Sequence, residues 1–262
     1  MAIPVFFIKK KDGSLQLVLD YHVLNAMTGK NCSPLPIILE LIVQLWGAKY
    51  FTKLDVVWGF NNVQIKDGDE WKAAFRTNCG FFKPLVMFFG LTNSPVTFQT
   101  MMANIFQDLI MEGHVCIYLD NILIFTDTLK EHCQILQTVL EHLRLHELCL
   151  CPKKCEFEWT RIEYLRLIVS CGKVEMDPVK VSGVMDWPTP TNWKEVQAFL
   201  GFENFYCWFI EGFLHHARPL FKLTKKDTKW SWGNHEQRAF NGLKQRFTST
   251  PILRFANDDH PY

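Results

Sequence analysis

The chain has 262 residues, of which 48% are hydrophobic and 21% are charged, so it can bury a sizeable core and extensive disorder is excluded. The formal net charge of +1 neither favours nor excludes a nucleic-acid partner. No uninterrupted apolar run reaches the roughly 20 residues that a membrane span requires. The first residues do not resemble a secretory signal, so we expect an intracellular protein, cytoplasmic or nuclear, with its nine cysteines reduced.

The first half of the chain alternates strand and helix patterns. Apolar spacing and turn residues predict strands at 3–8 and 15–19, a helix at 37–46, a strand at 50–57, a helix at 92–111, and a hairpin of strands 115–118 and 122–125 around Leu119-Asp120-Asn121. The helix at 92–111 begins with Asn93-Ser94-Pro95, which suits a capped first turn.

The second half becomes mainly helical. An amphipathic helix is predicted at 129–147, followed by a pair of strands at 156–159 and 162–170. After Asp177 the pattern favours helices, and Asn192 with Glu195 has the spacing of a capping box. The aromatic stretch from Phe202 to Phe213 is predicted as a further packed helical unit. The whole chain is therefore predicted to be an α+β protein.

Two aspartates lie where predicted strands end. Asp55 closes one apolar strand, and Asp120 lies in the turn of an apolar hairpin. Hard divalent cations prefer carboxylate oxygens, and strand ends at one edge of a sheet can direct such groups at one point. The alternative is that Asp55 only ends a strand and Asp120 only favours a turn. The spacing alone does not decide between these interpretations.

Short motifs occur in a fixed order along the whole chain. They are Lys9-Lys10-Lys11-Asp12-Gly13-Ser14, Asp20-Tyr21, Leu24-Asn25, Pro34-Leu35-Pro36, Lys53-Leu54-Asp55, Gly59-Phe60, Phe75-Arg76-Thr77, Phe89-Gly90-Leu91-Thr92-Asn93-Ser94-Pro95, Thr97-Phe98-Gln99, Tyr118-Leu119-Asp120, Lys154-Cys155-Glu156-Phe157, Trp187-Pro188-Thr189-Pro190 and Phe199-Leu200-Gly201. With these motifs the sequence resembles the reverse transcriptase of gypsy-like long-terminal-repeat retrotransposons.

The resemblance implies a right-hand polymerase with fingers and palm at 1–175, a thumb at 176–222, and the start of a connection segment at 223–262. The last segment would lead toward a ribonuclease H domain that this sequence lacks. The implied activity is that of an RNA-directed DNA polymerase, a nucleotidyltransferase of a transposable-element polyprotein associated with DNA integration. Its implied cofactors are two Mg2+ ions, with Mn2+ as a substitute. Its implied partners are a primed RNA or DNA template, deoxynucleoside triphosphates and other parts of the polyprotein, without a membrane.

The resemblance also implies roles for individual residues. Asp55, Val56 and Asp120 match the metal-binding positions, while Asn121 completes the catalytic hairpin and Lys154 matches a lysine able to protonate the leaving pyrophosphate. The implied nucleotide-binding residues are Lys10, Gln16, Phe60, Phe89 and Gly90, and the implied primer grip contains Leu165 and Arg166. Phe60 would exclude a ribose 2′-hydroxyl, although an ordinary core aromatic would fit the same pattern.

Several positions depart from the family pattern. Asn121 replaces a second hairpin aspartate; at an effective dielectric of about 20, a unit charge pair 4 Å apart contributes on the order of 4 kcal/mol. If about 3 kcal/mol of this reached the transition state, its loss would slow the reaction roughly a hundredfold. Gln16 replaces an arginine that grips the triphosphate. Other departures are His22, Phe88, Asn62 and Arg166-Leu167, the last in place of a Gly-His pair.

These departures leave two functional hypotheses. The first is a polymerase, active or weakened, that extends a primer with magnesium. The second is a catalytically silent remnant that binds nucleic acid through lysines such as Lys9–Lys11, Lys153 and Lys154, or binds a protein partner. A zinc site can also be drawn from histidines and cysteines near the end of the long helix, but structural histidines and buried thiols fit its irregular spacing better; the residues are His142, His146, Cys149, Cys151 and Cys155.

Overall fold

The computed structural model describes residues 3–9, 13, 15–226, 228–249 and, for the backbone alone, 252–254. The chain divides into two compact units, Met1–Thr160 and Arg161–Tyr262. Within the described part of the chain, no helix is both long enough and apolar enough to cross a lipid bilayer. The mixture of strands and helices confirms the predicted α+β class.

The first unit is built on a four-stranded antiparallel sheet with the strand order β6-β7-β3-β8. Its strands are β1 Val5–Lys9, β2 Leu15–Leu19, β3 Tyr50–Asp55, β4 Phe75–Thr77, β5 Gly80–Phe82, β6 Val115–Tyr118, β7 Asn121–Thr126 and β8 Glu156–Trp159. Its helices are α1 His22–Met27, α2 Ile38–Gln44, α3 Ser94–Ile105, α4 Gln107–Met111 and α5 Leu129–Leu145. Two further strand pairs, β1-β2 and β4-β5, form small sheets of their own.

The main core of this unit lies on one face of the four-stranded sheet. Alternate residues of the strands pack there against α3, α4 and α5, and the buried set is Leu54, Val56, Phe98, Met102, Phe106, Leu109, Val115, Ile117, Ile122, Ile124, Val139, Leu143 and Leu148. Because side chains alternate along a strand, Asp55 points to the opposite face. Helix α2 lies against that opposite face, where Cys116 Sγ contacts Gln44 Oε1 at 3.1 Å.

A buried histidine ties the sheet to α5. His132 is fully buried, and its Nε2 and Nδ1 atoms lie 2.7 and 3.0 Å from the hydroxyls of Thr52 and Thr126. The Thr52 hydroxyl also accepts a 3.0 Å hydrogen bond from the Glu158 amide. Burial lowers the pKa of His132, which favours the neutral imidazole. In a neutral imidazole one ring nitrogen donates and the other accepts, and each nitrogen has one threonine hydroxyl as its partner.

The described part of the second unit contains a four-stranded antiparallel sheet and four α-helices. The sheet has the order β12-β11-β10-β9. Asp177 is the N-cap of α6, and its carboxylate accepts from the Val179 amide. The elements are β9 Arg161–Tyr164, β10 Leu167–Ser170, β11 Lys173–Met176, β12 Ile252–Arg254, α6 Pro178–Met185, α7 Trp193–Asn204, α8 Phe213–Leu223 and α9 Asn234–Ser249. The predicted cap at Asn192 is confirmed, because its side chain accepts from the Glu195 amide at 3.1 Å.

Four predicted elements were wrong in detail. The helix expected at 92–111 breaks at Phe106, whose backbone leaves helical geometry (φ −113°, ψ 22°) while its ring is fully buried in the core. The strand at 156–159 does not pair with 162–170; it joins β3, where Glu156 forms an ion pair with Lys53. Residues 161–170 instead form their own hairpin. The stretch 202–213 is the end of α7, a 3-10 turn and the first residue of α8.

Candidate active site

The end of β3 brings Asp55 opposite Asn121 in the antiparallel ladder. The Val56 amide donates to the Asp120 carbonyl at 2.9 Å, which makes Asp55 and Asn121 a pair without direct backbone bonds. Side chains of such pairs are especially close, with Cα atoms about 4.5 Å apart. On the other side, the Cys151 amide donates to the Asp55 carbonyl at 2.8 Å. Neighbouring strands therefore fix Asp55 from both sides.

Asp120 lies in a two-residue turn between β6 and β7. Tyr118 pairs with Asn121, so Asn121 belongs to the strand and only Leu119 and Asp120 form the loop. Leu119 has φ of +54°, the positive value that type II′ turns require at the first central position. This tight turn places the Asp120 carboxyl at the end of the sheet that also carries Asp55.

The charges of the two aspartates interact. Burial is the main cause that raises the pKa of Asp120, and the negative charge of Asp55 raises it further. The positive charge of Lys154 and a 3.2 Å hydrogen bond from the Asn121 amide act in the opposite direction. The structure thus brings together all four residues expected to be catalytic.

Lys154 forms an ion pair with Asp55. Its Nζ atom donates to both carboxylate oxygens at 3.2 Å, and this hydrogen bond is the main cause that raises the pKa of Lys154. The Asp55 side chain is only 12% exposed, whereas the Lys154 side chain is 64% exposed. The ammonium therefore reaches the buried carboxylate from the solvent side.

The donor atoms at this edge fit a hard divalent cation. Two carboxylates are present, and Val56, which is 2% exposed, has a carbonyl oxygen that accepts no hydrogen bond from the described residues. A buried carbonyl without a donor is uncommon, and carbonyl and carboxylate oxygens are the ligands that Mg2+ prefers. Among the described residues no group of three or more His, Cys, Asp or Glu side chains forms a metal site. Asn121 stands where the sequence motifs imply a third acid.

Gln99 supports the turn before Asp120, a role that the sequence motifs do not predict. Its side chain is 6% exposed, its Nε2 donates to the Ile117 carbonyl at 3.1 Å, and its Oε1 accepts from the Leu119 amide at 2.7 Å. One side-chain amide thereby satisfies a carbonyl of β6 and an amide of the turn that follows it. A buried glutamine within an apolar helix face was the available sequence signal, because such a residue requires partners.

The aromatic residues expected at the nucleotide lie in one cluster. The ring centroid of Phe60 is 4.8 Å from that of Phe89 and 5.9 Å from that of Phe98, both with edge-to-face geometry. Phe98 is fully buried, whereas Phe89 is 53% exposed, so Phe60 connects the core to the surface. A Cβ added at Gly59 would lie 3.2 Å from the Phe98 ring and 3.6 Å from Asp120 Cβ, which places this cluster beside the acidic turn.

Gly90 and the remaining predicted residues occupy separate positions. Gly90 has φ of +95°, and its carbonyl accepts from Asn25 Nδ2 at 2.7 Å, while Asn25 Oδ1 accepts from the Thr92 amide at 2.9 Å. Gln16 lies in β2 opposite Ile8. Lys10 lies outside the described residues. Leu165 and Arg166 form the turn of the β9-β10 hairpin in the second unit.

Two interacting carboxylates and a neighbouring lysine at one end of an antiparallel sheet in an α+β fold are the arrangement expected of a template-directed polymerase. The family model described as "Reverse transcriptase (RNA-dependent DNA polymerase)" matches residues 8–202. The chain belongs to the reverse transcriptase family. Members of this family generally use divalent metal ions.

Within the reverse transcriptase family, this chain is similar to retrotransposon proteins. The Tf2-7 and Tf2-3 transposon polyproteins of Schizosaccharomyces pombe are each 35% identical to this chain over 253 residues, 97% of its length. The chain spans 19% of the length of these curated relatives. The matches confirm the predicted membership among gypsy-like retrotransposon reverse transcriptases.

Solved structures confirm the polymerase fold. A foamy viral protease-reverse transcriptase in complex with dsDNA superimposes with a TM-score of 0.88 at 22% identity, covering 100% of this chain and 55% of that one. The same viral protein in complex with an RNA/DNA hybrid gives a TM-score of 0.83 at 22% identity, covering 96% and 34% of the two chains.

Proposed function

We propose that this chain is the RNA-directed DNA polymerase part of a retrotransposon polyprotein and that its activity is weakened. The observation that carries the proposal is the placement of Asp55 and Asp120 at one sheet edge, where their charges interact. We also propose fingers and palm at 1–175, a thumb at 176–222, a connection segment at 223–262, and an intracellular location.

The metal-binding role would belong to the Asp55 and Asp120 carboxylates with the Val56 carbonyl. Two bound Mg2+ ions would activate the primer hydroxyl and offset charge on the phosphates during nucleotidyl transfer. The chain itself holds the two acids on fixed backbone, since both Val56 and Cys151 amides anchor this edge. Lys154 lies close enough to serve as the proton donor to the leaving pyrophosphate.

The weakening follows from two neutral side chains. Asn121 contributes an amide where an acid would add a negative charge, and its Nδ2 donates to Asp120 Oδ1 at 3.2 Å. Gln16 cannot offer the charged, bidentate contact that a guanidinium gives to a triphosphate. Both changes reduce charge complementarity with metal and nucleotide, while leaving the fold of the site intact.

The substrates would be a primed RNA or DNA template and deoxynucleoside triphosphates. Phe60 and Phe89, which lie near Asp120, would contact the nucleotide together with Gly90. Lys10 and Gln16 keep their expected role in nucleotide binding, and Leu165 and Arg166 keep their expected role in the primer grip. The foamy viral proteins with the same fold are described in complex with an RNA/DNA hybrid and with dsDNA, which supports this choice of partner.

Primer extension on a homopolymer template tests the proposal directly. With Mn2+ or Mg2+, the protein is expected to add deoxynucleotides at a low rate, and Asp55→Ala is expected to abolish the addition. Asp67→Ala is the matched control, because it removes an exposed carboxylate from the same unit. Binding of the primed template without any incorporation, in folded protein, would favour the silent remnant.

Asn121→Asp tests the proposed weakening. Restoring the charge is expected to raise incorporation by up to roughly a hundredfold. No gain in folded Asn121→Asp protein would show that Gln16 or another departure limits the rate.

Phe60→Val tests the proposed contact of Phe60 with the nucleotide. Loss of the ring is expected to relax discrimination against ribonucleotides, measured as the ratio of ribonucleotide to deoxynucleotide incorporation. An unchanged ratio in an active background would identify Phe60 as core packing.

A further inference from the structure

Lys154 is held in place by the local chain as well as by Asp55. The segment before it pairs with the end of β3 through a bridge between Leu150 and Val56. The chain then forms a 3-10 turn at Pro152–Lys154, in which the Lys154 amide donates to the Cys151 carbonyl at 3.0 Å. The backbone that anchors Asp55 thus also delivers the ammonium to its two oxygens.

The charges at the site are unusual because of Asn121. Asp55 and Asp120 each contribute one negative charge and Lys154 one positive charge, whereas Asn121 contributes none. Lys154 therefore neutralises half of the acidic charge that remains. Both oxygens of Asp55 accept from the ammonium, so a cation that binds this carboxylate competes with Lys154 for the same two oxygens.

We propose that the Lys154 ammonium competes with the divalent cation for the Asp55 carboxylate. Metal binding then releases the ammonium toward the side where the substrate would bind. This inference rests on the proposed function, because it takes Asp55 as a metal ligand. The inference links two equilibria, metal binding and formation of the Lys154–Asp55 ion pair. Without metal the lysine stays paired with Asp55, and with metal bound the lysine is free.

Direct measurement of Mn2+ binding tests the competition without catalysis. Electron paramagnetic resonance of free Mn2+, titrated into the full chain without nucleotide, gives the dissociation constant. Lys154→Gln is expected to tighten Mn2+ binding on the order of tenfold, because it removes a repelling unit charge from a partly exposed site. Lys153→Gln is the matched control, since it removes the same charge from the neighbouring, exposed position and is expected to leave the constant unchanged.

Comparing Asn121→Asp with Lys154→Gln distinguishes the effect of net charge on Mn2+ binding from the effect on catalysis. It adds a negative charge where Lys154→Gln removes a positive one, so both variants are expected to tighten Mn2+ binding. Only Asn121→Asp is expected to raise incorporation, because Lys154→Gln also removes the proton donor. Equal binding by wild type, Lys154→Gln and Lys153→Gln would overturn the competition. Equal tightening in the two lysine variants would also overturn it, since a general charge effect would then suffice.

A second readout follows the lysine itself. Acylation of amines by a water-soluble reagent, quantified by mass spectrometry, is expected to increase at Lys154 relative to Lys153 when Mn2+ is added. In Asp55→Asn the ratio is expected to be insensitive to Mn2+. If Asp55→Asn binds Mn2+ as tightly as wild type, the proposed metal site itself fails. If it loses Mn2+ while the wild-type labelling ratio stays constant, only the linkage fails.

Discussion

Each compact unit contains a two-residue hairpin whose turn carries bulky residues at positive φ, and the two turns are supported differently. In the β6-β7 turn of the first unit, Leu119 has positive φ and Asp120 does not, and the Leu119 amide donates to the buried side chain of Gln99. In the second unit both Leu165 (+48°) and Arg166 (+67°) are left-handed, as in type I′ turns that favour Asn-Gly. Their support is weaker, a 3.4 Å hydrogen bond from the Tyr206 hydroxyl to the Arg166 carbonyl.

One buried polar side chain in each unit repeats the contrast. Gln99 on α3 has one donor and one acceptor satisfied, whereas Glu203 on α7 is fully buried and neither of its oxygens meets a donor among the described residues. In the first unit, the Gln99 side chain binds the strained backbone at Leu119 and so positions Asp120. In the second unit we expect the left-handed turn and the unpartnered Glu203 to reduce stability.

The largest effect is expected at Glu203. Burial raises the pKa of this carboxyl to about 8, from 4.5. The unfolded chain releases the proton above about pH 4.5 while the folded chain retains it, so stability falls as pH rises between these values and levels off above about 8. Urea unfolding at pH 5 and pH 8.5 is expected to differ on the order of 4 kcal/mol from this group.

Glu203→Gln isolates that contribution from other titrating groups. The variant is expected to lose most of the decline between pH 5 and pH 8.5, whereas Glu211→Gln, an exposed control in the same unit, is expected to keep it. A wild-type decline that persists unchanged in Glu203→Gln would show that the buried carboxyl acquires a proton donor or water.

The acids can be predicted from the sequence, but the residues that support them cannot. Asp55, Asp120 and Lys154 were found because ordered motifs identify them, and the apolar alternation that forms β3 and β7 is local. Gln99 was quoted only within a motif, since its function depends on contacts 18 and 20 residues away. The strand 156–159 was assigned the wrong partner because its alternation fits either neighbour, and the Lys53–Glu156 ion pair is not visible from spacing.

Gln99→Leu is the next strongest test, because it removes the support that distinguishes the first hairpin. The Leu119 amide and the Ile117 carbonyl would lose their partner in a buried site, at a cost of about 1–3 kcal/mol. Incorporation and Mn2+ affinity are expected to fall together as Asp120 loses its position. The exposed Gln137→Leu serves as a control for the change in side-chain polarity.

Adding Leu119→Gly to the Gln99→Leu variant tests whether Gln99 affects Mn2+ affinity by stabilising the strained backbone at Leu119. Glycine adopts positive φ without cost, so the second substitution is expected to recover part of the Mn2+ affinity. Recovery of stability alone, with Mn2+ affinity unchanged, would mean that Gln99 stabilises the helix and does not position Asp120.

Arg166→Gly probes the second hairpin, where the expected effect is smaller and has the opposite sign. Relief of the left-handed conformation is expected to stabilise the protein by about 0.5–1 kcal/mol in urea unfolding. Lys173→Gly, at an exposed strand position in the same sheet, is expected to destabilise by a similar amount. Destabilisation by Arg166→Gly would show that its side-chain contacts outweigh the strain.

The smallest effect concerns one of those contacts. The Arg166 guanidinium carbon lies 5.9 Å from the ring centroid of Phe205, at the outer limit of a cation–π interaction. A double-mutant cycle with Arg166→Met and Phe205→Leu is expected to give a coupling of about 0.5 kcal/mol, which decreases little with salt because no ion pair is involved. A coupling above about 1 kcal/mol would mean that this turn, like the one before Asp120, is held by a dedicated partner.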